Sequence, residues 1–269
     1  MATGDRSVVC RQYTFPPGGE DRMFANLARA LTGVAAVGLS AALAGCSSDA
    51  RVTIDGVRGV PLAELDTSGK APDTITLLGP DTVHVTGGDR LAITVDGDPA
   101  IRDQLRFTLK DGNLGITREK HGFGQGGTVT INVVVPPLQG IVLMGSGTVQ
   151  SDALHGEDAR VVIAGSGSVD STRVDVGTLK VDVLGPGTVR AAGHARNLAL
   201  TIGGSGNADL SGLSVDAAKA DVAGSGSGRF ASDGTVDASI LGSGDIHVRG
   251  RATCTVKTMG SGKLVCEAA

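Results

Sequence analysis

Reactive chemistry in this chain would have to come from a few side-chain types, and their spacing limits what each can do. Five histidines, His84, His121, His155, His194 and His247, are scattered, with no H-x-x-x-H and no cysteine pair at zinc-ligand spacing. They read as surface residues. Carboxylates are abundant, yet no D-x-D-x-D cluster of the kind that gathers calcium occurs, so neither a metal nor a cofactor is expected. Serines recur inside Gly-Ser-Gly triplets but never as G-x-S-x-G, and a phrase present seven times is a poor candidate for a unique nucleophile. Residues 122–127, GFGQGG, satisfy G-x-G-x-x-G. A dinucleotide site, however, needs a strand before that phrase and a helix after it, so that the helix amino terminus faces pyrophosphate. Here a strand-like run follows instead, and the segment reads as a hairpin loop.

The cysteines carry more information. An apolar run over residues 30–45 follows Arg29, too short and too rich in small residues for a good membrane span, and it ends in Leu43-Ala44-Gly45-Cys46. This ending resembles a bacterial lipobox. The resemblance implies a diacylglycerol on the Cys46 thiol, removal of the preceding peptide and acylation of the new amino terminus. Several acyl chains, at about 0.8 kcal/mol per buried methylene, would hold the protein on a membrane far better than one. Residues 1–22 fit such a signal poorly, because Asp5, Glu20 and Asp21 dilute its positive start. Translation is therefore expected to begin at Met23, with residues 23–45 as the signal peptide and 1–22 as an extension that includes Cys10. Two thiols remain, Cys254 and Cys266, and an exported protein meets an oxidising compartment that favours a bridge.

Composition points to the elements that must position these groups. The 269 residues include 42 glycines, one tyrosine and no tryptophan, which favours a repetitive architecture over an ordinary mixed core. Hydrophobic content of 41% is ample for folding, and no three-residue glycine period exists, so the chain is neither disordered nor collagen-like. A net charge of −4, with no basic run, excludes a nucleic-acid binder. Residues 46–73 are polar apart from a strand-like run at 52–54, and read as a tether. Strand alternation begins near Thr74 with Ile75 and Leu77, then Val83 and Val85, then Leu91, Ile93 and Val95. It continues through Leu105, Phe107 and Leu109, then Leu114 and Ile116, to Val129–Val135.

Beyond Leu138 the organisation is periodic. Gly-Ser-Gly triplets, one with proline in the middle, carry the glycine pairs Gly145 and Gly147, Gly165 and Gly167, Gly185 and Gly187, Gly204 and Gly206. Gly224 and Gly226, Gly242 and Gly244, and Gly260 and Gly262 complete the series, at spacings of 20, 20, 19, 20, 18 and 18 residues. A fixed period of this length is a solenoid signature, each repeat burying its apolar side only when a neighbour stacks on it. Two places before the first glycine stand Leu143, Ile163, Val183, Ile202, Val222, Ile240 and Thr258. Two places past the second stand Val149, Val169, Val189, Ala208, Gly228, Ile246 and Leu264. The pattern is a strand, a corner and another strand, with nine or so further residues for a third side. Glycine suits the corner because it reaches positive φ and leaves room for the rungs above and below. Pro186 places the middle residue near −65°, leaving any positive φ to the glycines.

The expected fold is all-β, a parallel β-helix of 18–20 residues per coil over residues 74–269. One place beyond the post-corner apolar position, Asp170, Arg190, Asp209, Arg229 and His247 form an exposed ladder, read as register-setting surface charge. Cys254 stands six places before the last corner and Cys266 four after it, so both should point inward in the final coil, either as a bridge that staples its open end or as two buried free thiols.

From Thr74 to Cys266 the chain resembles the head GIN domain family of "putative auto-transporter adhesins". The likeness rests on "DGNLGI" (residues 111–116), "VVVPPLQGIVLMGSG" (residues 133–147) and the Gly-Ser-Gly series. It implies a β-solenoid and surface attachment, and it supplies no catalytic residues. Together these readings predict a non-enzymatic, lipid-anchored envelope protein facing the extracytoplasmic side, with an envelope glycan or protein as partner. Contacts are expected on the strand faces and the loops at 98–104 and 119–127. The alternatives are a carbohydrate-active or calcium-dependent enzyme, or a small-ligand carrier, on the same scaffold. An enzyme needs clustered carboxylates with a basic partner, and a carrier needs a large apolar cavity.

Overall fold

The computed structural model describes residues 53–119 and 126–267. Its regular elements are strands, apart from a 3-10 turn at Leu62–Glu64 and one helical turn, α1, at Pro99–Arg102. Among the described residues no helix is long and apolar enough to cross a membrane.

The periodic half is wound as the sequence predicts. Strands β9 (Gly140–Gly145) and β10 (Thr148–Ser151) flank the first Gly-Ser-Gly corner. Four long strands follow, β11 (Leu154–Gly165), β12 (Ser168–Leu184), β13 (Thr188–Gly204) and β14 (Asn207–Gly224), then β15 (Ser227–Gly242). Each of the last four runs from one corner to the next, and the third side is extended as well. Neighbouring coils pair in parallel and in step: Val161 faces Ile141 and Val181, Ile202 faces Val183 and Val222. Register shifts between Ser171 and Val174, Arg190 and Ala192, and Leu210 and Ser214 mark the bend opposite the corner.

Inside, the stack Leu143, Ile163, Val183, Ile202, Val222 and Ile240 is at most 2% exposed. Each such side chain contributes about 1.5–3 kcal/mol on burial, and only because the coil on either side covers it. The solenoid closes with β16 (Asp245–Arg249), β17 (Thr253–Gly260) and β18 (Lys263–Glu267).

The amino-terminal half departs from simple winding. Strands β3 (Thr74–Leu78) and β4 (Thr82–Gly87) form a coil, and so do β7 (Asn113–Arg118) and β8 (Thr130–Val135). The β3–β4 coil, first in sequence, lies between β7–β8 on one side and β9–β10 on the other. The chain makes its second coil first, travels outward to lay down the end coil, and returns past it through residues 136–139.

Two further strands, β5 (Ala92–Asp96) and β6 (Leu105–Lys110), pair antiparallel with β8 and β7 and cover the outer edge of that end coil. The stacking is therefore parallel through the repeats and antiparallel at this cap.

Two sequence expectations are corrected here. Residues 46–73 were expected as tether, yet from Thr53 the chain is folded. Strands β1 (Thr53–Ile54) and β2 (Val57–Arg58) form a hairpin, Ile54 is buried, and Val60 bridges to Phe107 while Leu62 and Leu65 pack on the core. Apolar residues too sparse for a periodic signal still suffice to lie across the end of a stack. Likewise, the 98–104 segment is no irregular loop. Asp98 caps α1 by accepting the Ala100 N–H at 2.8 Å, and Ile101 turns into the core.

Candidate functional site

The repeated corner is the best-defined device in the molecule, and its two glycines do different work. The first glycine of each triplet has φ between 112° and 134°, a region closed to side chains other than hydrogen. The second glycine has ordinary φ and is needed for space: a Cβ on Gly167 would lie 2.4 Å from the Gly147 carbonyl oxygen, and one on Gly244 2.4 Å from that of Gly226.

Hydrogen bonds explain the crowding. The N–H groups of Ser166 and Gly167 both donate to the Gly145 carbonyl at 3.0 Å, and Ser225 with Gly226, Ser243 with Gly244 and Ser261 with Gly262 repeat this on the preceding coil. The corners thus form a column of paired backbone groups along the solenoid axis. This assigns the serine a backbone role, and Pro186 can replace it at the loss of one donor.

One more corner lacks the Gly-Ser-Gly triplet. Gly79, Pro80 and Asp81 turn the β3–β4 coil, Gly79 has φ 145°, and its carbonyl accepts from Gly147 N–H at 2.9 Å. The signal was present in the Gly-Pro dipeptide shared with Gly185-Pro186. Asp81 stands where the other corners have their second glycine, and its carboxylate is buried. Arg118 from the end coil donates to it from Nε at 2.8 Å and from Nη2, and also reaches the Gly127 carbonyl at 3.0 Å. Val129 N–H completes the set at 3.0 Å. Both side chains are sealed from solvent, at 0% and 1% exposure, and stitch the end coil to its neighbour.

Outside the coils, charge pairs run both between rungs and along a single strand. The predicted ladder pairs Arg190 with Asp170 at 3.3 Å. Arg160 and Lys180 both reach the buried Asp182, at 3.0 and 3.7 Å. Arg196 pairs with Glu157, Lys219 with Asp221 at 3.6 Å, and His155 and His194 lie 3.7 Å from Asp175 and Asp216. Exposed pairs of this kind contribute about 0–1 kcal/mol each, enough to favour one register. Among the described residues no three His, Cys, Asp or Glu side chains converge as a metal site.

Cys254 and Cys266 are joined, with Cα atoms 6.8 Å apart. They stack on Val236 and Val248 of the coil below, as inward positions should. Among the described residues nothing covers the final coil from above, and Cys254 is half-buried and Cys266 exposed rather than both being enclosed. Cys46, residues 23–45 expected as a signal peptide, and residues 120–125 of the 119–127 loop lie outside the described residues.

Fold and surface together define a β-solenoid scaffold: a filled apolar interior, a backbone column at the corners, and outward side chains that change from coil to coil. The family "putative auto-transporter adhesin, head GIN domain" matches over residues 71–252, and the chain belongs to it. Among solved structures, a "putative adhesin" from Bacteroides fragilis is similar with a TM-score of 0.64 at 22% identity, over 74% of this chain and 93% of that one. A "putative lipid binding protein" from Parabacteroides distasonis is similar with a TM-score of 0.56 at 20% identity, over 74% and 94% of the two chains. A "putative adhesin" from Parabacteroides merdae gives 0.55 at 17% identity, over 74% and 92%. Comparison with curated proteins finds no match.

Proposed function

We propose that this chain is a non-enzymatic envelope protein, held on the extracytoplasmic face of a membrane by lipid on Cys46, whose solenoid displays an adhesion or scaffold surface. The observation that carries the proposal is the division of labour in each coil. Inward and corner positions repeat because packing and the backbone column demand it, while outward positions such as Asp170, Arg190, Asp209, Arg229 and His247 differ between coils on a rigid parallel frame. Such a frame presents side chains at a fixed spacing of about 4.8 Å. Core side chains from Ile141 to Ile240 sit in contact with solvent hardly at all, which supports display over carriage of a ligand inside the coils.

Residues 23–45 would act as the signal peptide, and Thr53 stands only seven positions after Cys46. Fully extended, that spacer reaches about 25 Å. The amino-terminal cap would therefore stand close to the lipid, with the Cys254–Cys266 end pointing away from it.

The test has two arms. Radiolabelled palmitate should enter the wild-type chain expressed in bacteria and be absent from Cys46→Ser, whereas equal labelling removes the anchor. Incubating the purified protein with intact cells and envelope glycans should give saturable binding without product release; turnover of a glycan would overturn the non-enzymatic reading.

A further inference from the structure

Among the described residues, one stretch where in-register charges do not pair runs from β14 to β16. Asp209 and Arg229 are neighbours in register, but the Asp209 carboxylate accepts the N–H of its own Ser211 at 3.4 Å, and among the described residues Arg229 has no carboxylate within 4 Å. His247 stacks directly on Arg229; Arg160 likewise stacks on Lys180, but those two share Asp182, whereas among the described residues no carboxylate lies within 4 Å of Arg229 or His247. His155 and His194 each lie beside an aspartate; His247 does not. Arg249, two places on, reaches back across two coils to the Ser211 carbonyl at 3.2 Å. Glu267, its neighbour in register, makes no ion pair with it within 4 Å.

These groups surround one concavity. It has a volume of about 170 Å³ and is lined by Arg229, His247, Arg249, Glu267, Ser211 and the half-buried Val265, while Phe230 and Val248 below it are core residues each 2% exposed. Ligand sites for drug-sized molecules occupy about 300–1,000 Å³, so this one takes a single ring or a single acidic group. Guanidinium forks match carboxylate and phosphate oxygens in paired hydrogen bonds, and two of them beside an imidazole leave the lining net positive even with the Glu267 carboxylate in it. Val265 offers a small apolar contact for the C–H face of a sugar ring.

We propose that the last coils carry a subsite for one anionic sugar unit, its carboxylate or phosphate held by Arg229, His247 and Arg249. This deepens the adhesion reading and rests on it: the site lies at the end of the solenoid that the proposed anchor points away from the membrane, where a surface glycan would be met first.

The experiment titrates the full chain in detergent with D-glucuronate, D-glucose 6-phosphate and D-glucose, following binding by saturation-transfer NMR. One or both acidic sugars should bind saturably while glucose does not, and binding should weaken as salt is raised. Arg229→Gln, which breaks no bond within the protein, should weaken it tenfold or more, and His247→Gln several-fold. Arg190→Gln, at a charge already paired with Asp170, should leave it unchanged. Which acidic sugar binds distinguishes a uronic-acid source from a phosphorylated one. Binding equal in Arg229→Gln and wild type, binding of glucose alone, or binding of an oligoglutamate peptide without either acidic sugar overturns the subsite. Cell adhesion that survives in Arg229→Gln when wild type shows no sugar binding sinks this inference and leaves adhesion standing. Sugar binding by a chain that does not adhere to cells does the reverse.

Discussion

Alanine at the first or the second corner glycine separates two physical costs that the sequence merges into one motif. In Gly167→Ala the backbone φ is acceptable, and the added Cβ would stand 2.4 Å from the Gly147 carbonyl oxygen and 2.7 Å from Leu143 Cδ2. The leucine can turn, but the carbonyl belongs to the column and accepts from Ser168 N–H at 3.0 Å, so the coil must shift. Forced packing of this kind costs about 1–3 kcal/mol. In Gly165→Ala the same crowding, 2.4 Å from the Gly145 oxygen, is joined by a φ of 134° that alanine rarely adopts, adding about 1–3 kcal/mol.

The expected order of stability is wild type, then Gly167→Ala, then Gly165→Ala, the last down by about 2–6 kcal/mol in total. At about 2–4 °C per kcal/mol for a chain of this size, Gly165→Ala should melt at least 4 °C below wild type. Gly69→Ala, where a Cβ meets nothing within 4 Å and φ is not positive, serves as the control. Thermal unfolding by circular dichroism with denaturant titration gives both quantities. A Gly165→Ala protein within 0.5 °C of the Gly69→Ala control, or a Gly167→Ala protein less stable than Gly165→Ala, would refute the assignment of strain to the first glycine and space to the second.

Reducing the Cys254–Cys266 bridge, or Cys266→Ser, should cost about 2–3 kcal/mol for a loop of this length, and hydrogen exchange should accelerate over β17 and β18 before β12 or β13; uniform acceleration along the whole chain would count against an end staple. Arg118→Met should destabilise by about 3–5 kcal/mol because it strands the buried Asp81 carboxylate, and adding Asp81→Leu should recover part of that loss. Additive losses in the double variant, measured by denaturant unfolding, would show that the two side chains do not act as a unit.

How much of this was legible beforehand depends on whether a feature is repeated. Corners at seven glycine pairs, inward stacks such as Leu143 to Ile240, and the inward register of both cysteines follow from alternation and period, because every coil solves the same packing problem with the same residues. The corner at Gly79 was hidden by Asp81, and the Arg118 that makes Asp81 tolerable lies 37 residues away with no local signal. The loop expected at 98–104 carried a helix because one aspartate and one proline suffice for a single turn. The subsite around Arg229 was visible as part of a charge ladder, but not as its interruption. Only coordinates show that Asp209 turns to Ser211 instead.

By itself, the sequence determined the coil: its length, its inner face, its corner and the direction in which neighbours stack. Those depend on interactions between equivalent positions, so periodicity records them. Tertiary structure alone decided the order of the first coils, the antiparallel cap, the docking of residues 53–65, the sealed Arg118–Asp81 pair and the gathering of unpaired cations at the far end. Each of these joins residues that meet once in the molecule, and a contact made once leaves no repeat in the chain to announce it.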